Sequence, residues 1–96
     1  MLQVEDGQQI AAQEVNRRRS ISEFWRGVED LSPLRLAQET PVFWVFFARS
    51  QKLIEASHAP GGMFITVDKQ TGHVWTQQEI ETYYAPVAGQ SERIAA

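Results

Sequence analysis

The side chains of this 96-residue chain that could do chemistry are two histidines, scattered carboxylates and serines, and the cluster Arg17-Arg18-Arg19. His58 lies in a Ser-His-Ala-Pro-Gly-Gly stretch and His73 follows a glycine. Neither has a carboxylate or second histidine at a spacing that would hold a metal ion. Ser50 and Ser57 lack the glycine-flanked strand-to-helix turn that an activated serine nucleophile needs. Glu79 and Glu81 are two apart, so on a helix they diverge and make no general acid/base pair. Gly61-Gly62 lacks the lysine and hydroxyl residue of a phosphate loop. Asp68-Lys69-Gln70-Thr71-Gly72 lacks the evenly spaced carboxylates of a calcium loop. The sequence therefore predicts no catalytic, cofactor-binding or metal-binding residue, and a protein that is not an enzyme.

The bulk numbers narrow the classes further. With no cysteine the chain is neither a thiol enzyme nor a cysteine-ligated metal module, and it suits a reducing compartment. Nine basic and 12 acidic side chains give a net charge of -3, against the basic excess of a general nucleic-acid binder. The three arginines are expected where a helix ends, as favourable charges at the negative end of its dipole. The start, Met1 to Asp6, is acidic and polar where a secretion signal would be basic and then apolar. The strongest apolar run, Val42 to Ala48, is far shorter than the roughly 20 residues of a membrane-spanning helix. A cytoplasmic protein with no membrane association is expected.

The elements that would carry these residues follow from patterning. Asp6 and Gln9 have capping-box spacing and open a helix to about Arg19, with Ile10, Ala11 and Val15 as its apolar stripe and Gly7 weakening its start. Ser20 and Glu23 repeat the spacing, and Ile21, Phe24, Trp25, Val28 and Leu31 then form the broad face of a second helix ending at Pro33. Leu34 to Gln38 is a short strand forming a hairpin with Val42 to Ala48. That run is aromatic and β-branched, with Phe43, Val45 and Phe47 on one face and Val42, Trp44, Phe46 and Ala48 on the other, so both faces should be covered. Leu53-Ile54 extends this strand or opens one helical turn, and Ser57 to Gly62 is a loop. Met63 to Asp68 is a third strand, turning through Asp68 to Gly72 into a fourth, His73 to Trp75. Thr76 and Glu79 cap a last helix carrying Ile80, Tyr83, Tyr84 and Val87 and ending at Pro86.

The stretches Thr40 to Ser50, Leu53 to Glu55 and Gly62 to Gly72 resemble the YrhB-like family, also called immunity protein 35. In that family a helix precedes a tryptophan- and phenylalanine-rich strand, a leucine-containing segment, a glycine loop, and a strand ending in valine-aspartate-lysine-x-threonine/serine-glycine. Phe43 stands where the family usually has glycine, and Ser20 to Ser32 looks like an addition. The resemblance implies a small bacterial cytoplasmic protein, some of whose relatives are thought to neutralise toxins by binding them. It supplies no catalytic residues.

The expected architecture is α+β: a small antiparallel sheet of about four strands packed against N- and C-terminal helices, in the order α-α-β-β-β-β-α. Residues 1–88 form one domain, and 89–96 a frayed tail. The expected function is non-enzymatic binding of a protein partner, a toxin by the resemblance, without a cofactor. Two alternatives stand beside it. One is a ligand-binding protein or enzyme with a pocket between helices and sheet, lined by Trp25, Trp44 or Trp75; the other is a homodimer joined along a sheet edge. Loops held by rigid strands carry binding groups disproportionately, so the expected partner contacts are His58, Gly61 and Gly62 in one loop and Lys69 and Gln70 in the next turn.

Overall fold

The computed structural model describes residues 1–58 and 60–84. Its elements are α1 (Val4–Ile21), α2 (Glu23–Arg26), β1 (Arg35–Glu39), β2 (Phe43–Arg49), α3 (Gln51–Glu55) and β3 (Gly62–Asp68). A fourth helical segment, α4, covers residues 77–84. The three strands form an antiparallel sheet in the order β1-β2-β3, so the class is α+β. The expected fourth strand is a single bridge pair, Val67 with Val74, because residues 73–75 leave the sheet at once to start α4. The expected ends at Pro86 and Val87 and the tail 89–96 lie outside the described residues.

Register assigns the sheet its faces. Trp44 pairs with Val67, Phe46 with Ile65 and Ala48 with Met63, and cross-strand partners share a face. This face is the core, joined by Ala11 of α1 and ringed by Leu2, Val4, Ile10, Val15, Trp25, Leu31, Leu34 and Val74. Helix α1 meets it through the expected stripe, with Ala11 in the core and Ile10 and Val15 packed at its margin, and also through Gly7 and Glu14, which are buried. The bulk comes from the sheet, so small residues on the helix let the backbones approach. At Gly7 the six-membered ring of Trp44 lies where a side chain would begin; a β-carbon there would sit 2.6 Å from Trp44 Cε3.

Both N-terminal helices differ from the sequence expectation. Gln3, not Asp6, caps α1; Asp6 is the third helical residue and accepts the Gln3 backbone N–H at 2.9 Å. Helix α1 runs on through Ser20 to Ile21, and α2 is only one turn, capped by Ser22. The following residues have other partners. Asp30 accepts the Ser50 hydroxyl at 2.6 Å and the Lys52 N–H at 3.0 Å, and Leu31 bridges Ser50. This draws 28–32 onto the sheet end and leaves Ile21 and Phe24 exposed.

Glu14, buried under α1, takes both Arg17 and Arg18, the latter also donating to the Phe64 carbonyl at 2.9 Å. The arginine cluster is thus a helix-to-sheet clamp as well as a helix-end charge. Hydrogen bonding from Arg17 outweighs burial and holds the Glu14 carboxyl below its ordinary value of 4.5. Among the described residues no helix is long and apolar enough to cross a membrane.

Gly7→Val should lower stability by about 2 kcal/mol, read from urea denaturation, because overpacking against Trp44 adds to lost helix propensity. Glu14→Gln should cost roughly 1 kcal/mol at pH 7. Since the folded carboxyl titrates below 4.5, its contribution is complete above that pH and lost as pH falls through the folded value. Variant and wild-type urea midpoints should therefore converge in acid.

Candidate functional site

The second sheet face carries Phe43, Val45 and Phe47 of β2, paired with Asp68, Thr66 and Phe64 of β3. Among the described residues, only one end of it is roofed. Trp75 and Tyr83 pack edge-on against Phe43, with ring centroids 4.9 and 5.3 Å away, and bury it. Thr76 and Glu79 fix α4 there: each backbone N–H is accepted by the other's side chain, at 2.9 and 3.2 Å. Glu79 also meets His73 Nε2 at 2.9 Å. The Thr76 amide, and then His73, lower the Glu79 pKa below its ordinary value. This pair, six residues apart, joins groups that the sequence leaves separate.

Further along, the face is open. Val45 and Phe47 are half-buried, and Phe64 is 45% exposed. The Phe47 and Phe64 rings lie 4.5 Å apart. Phe47 lies over Gly62, whose missing side chain provides the space. Coverage of both faces was the expectation; among the described residues the one long helix, α1, lies on the core face, and α4 meets the second face through Tyr83 on Phe43. Arg35 of β1 stands opposite Phe47, and Ser32, Arg35, Phe47 and Arg49 line a recess of about 220 Å³.

The five residues singled out as partner contacts fall at opposite ends of β3 and do not form one site. At the first end His58 is exposed and packs on Phe24, which is 47% exposed, at 5.3 Å. Gly61 and Gly62 are buried there. Gly61 adopts φ 83° beside Ile54, and any side chain on Gly62 would collide with the Ala48 carbonyl oxygen and the Phe47 ring. At the other end Lys69 is only 9% exposed, its ammonium 2.6 Å from Glu39 and 5.6 Å from the Trp44 ring centre. Gln70 is exposed, in the turn where Asp68 accepts the Gln70 and Thr71 N–H groups. Those amides, Thr71 first, hold the Asp68 pKa below its ordinary value, while Gly72 supplies φ 75°.

The three tryptophans line no common pocket. Trp44 is buried in the core, Trp25 half-buried at its margin, and Trp75 lies on the second face, where it joins Glu79 and Tyr83 around a groove of about 410 Å³. Among the described residues no group of three or more histidines and carboxylates could hold a metal ion. Comparisons with protein-family models, curated proteins and solved structures find no match for this chain.

What sequence reasoning missed is the aromatic pair. Phe47 and Phe64 both appear in strand patterns, but only the register puts them side by side on an uncovered face. Thermal denaturation should sort four of the five loop residues. Gly62→Ala should cost about 3 kcal/mol through backbone collision, and Lys69→Ala about 1 kcal/mol through lost packing and pairing. His58→Ala and Gln70→Ala should remain within about 0.5 kcal/mol of wild type.

Proposed function

We propose that this protein is a non-enzymatic binding module that docks a protein partner on the open sheet face around Phe47 and Phe64. The observation that carries this reading is the exposed Phe64 ring packed beside the half-buried Phe47, on a face that the described residues roof only at its far end. Exposed aromatic surface held on a rigid sheet costs little ordering entropy to use, and aromatic side chains dominate the energetics of protein interfaces. The resemblance to the YrhB-like family favours a cytoplasmic immunity role, in which the partner is a toxin held by occlusion. His58 and Phe24, at the end of the sheet where β3 begins, would extend the contact. A fourth sheet strand forming on the partner-bound protein at residues 73–75 is compatible with this reading.

Replacing Phe64 by a photo-crosslinking phenylalanine analogue in the native host tests it. Irradiation should give one discrete heteromeric adduct. The same analogue at Gln13, on the outer face of α1, should give none. Adducts from both positions, or from Gln13 alone, would sink the proposal. An adduct of twice the chain's mass would show a homodimer in its place.

A further inference from the structure

Among the described residues, the two arginines at the rim of the open face pair with no carboxylate. Arg35 is on the same face as Phe47 because they are cross-strand partners, and Arg49, two residues beyond Phe47, shares that face by alternation. Diagonal neighbours of this kind are roughly 7–8 Å apart, and both arginines line the recess beside the Phe47 ring. The ion pairs among the described residues engage Arg17, Arg18, Lys69 and His73. None engages Arg35 or Arg49. Arg49 donates to the neutral Gln51 side chain at 2.8 Å, and a guanidinium has five N–H donors. In a chain of net charge -3, two neighbouring cations without a carboxylate form a positive spot on an apolar face. Their mutual repulsion is relieved when an anion arrives.

We infer that the partner segment bound on this face is acidic as well as apolar: a protein segment placing an apolar side chain against Phe47 and Phe64 and an aspartate or glutamate between Arg35 and Arg49. The inference rests on the docking role proposed above for the same face. A carboxylate fits the fork geometry of guanidinium donors, and charge-assisted bonds of this kind add specificity to apolar contact. Single-stranded nucleic acid would also bring anions and flat groups. It is disfavoured because the Phe47 and Phe64 rings pack on one another, 4.5 Å apart, and because the described lining of the recess holds two cations rather than a groove of them.

The test pans a displayed library of random twelve-residue peptides on the folded full-length chain and on two variants, Phe64→Ser and Arg35→Glu with Arg49→Glu. All three sites are at the surface, and circular dichroism checks that each variant folds. Recovered peptides should combine aromatic or aliphatic residues with an excess of aspartate and glutamate over the starting library. A fluorescent copy of the most enriched peptide should bind about tenfold more weakly to the double charge-reversal variant, and more weakly to wild type in 0.5 M salt. Apolar peptides without acidic enrichment, lost on Phe64→Ser, would overturn the acidic inference and leave the docking role standing. A recovered pool unchanged on Phe64→Ser, or no enrichment at all, would overturn both. Tighter binding of a twelve-nucleotide oligothymidine than of the enriched peptide would overturn both in favour of a nucleic-acid ligand.

Discussion

The close approach of α1 to Trp44 at Gly7 is the contact on which the rest of the architecture depends. The indole lies under the first turns of the helix, where only a glycine leaves room. Lys69 also stands over the ring and is itself tied to Glu39 of β1. One side chain thus links α1, the central strand, the edge strand and the turn after β3. Leu2 adds a backbone bond to the Lys69 carbonyl at 2.9 Å, so the start of the chain is fastened to the same turn.

That arrangement determines how the chain's apolar surface is divided. A domain this small has few elements with which to cover a sheet, and among the described residues the one long helix is committed to the Trp44 face. The other face must manage with α4, whose aromatic side chain reaches Phe43 and no further. Polar groups take over where helices run out. Asp30 satisfies the Ser50 hydroxyl and the Lys52 amide at one sheet end, and Arg18 satisfies the outward carbonyl of Phe64 on β3. The buried carboxylate of Glu14 is tolerable in this setting because both its oxygens are bonded to guanidinium groups.

The same economy gives the functional proposal its physical content. The open face around Phe47 and Phe64 is left by the fold rather than added to it. An acidic chain that keeps two uncompensated arginines beside that face combines apolar contact with a point of charge selectivity. Neither property requires a catalytic group, and binding by shape and charge suits a small rigid sheet.

Much of the local structure was legible in the sequence because it depends on neighbours in the chain. The alternation in Val42 to Ala48, the Asp68-to-Gly72 turn and the Thr76–Glu79 capping box each appear where residue type and spacing place them. What depended on distant partners was not legible. The apolar periodicity from Ile21 to Leu31 reads as a helix, yet Asp30 and Leu31 are taken by Ser50, 19 or 20 residues away, and a local pattern contains no record of that competitor. Gly7 looks like a weak point in a helix until Trp44 is laid beneath it. Phe47 and Phe64 look like ordinary core residues until register places them together on a face that the described helices leave open. Side-chain type fixes which surfaces are apolar, but only the tertiary packing decides which of them remain uncovered, because coverage depends on the elements left over after the core is made.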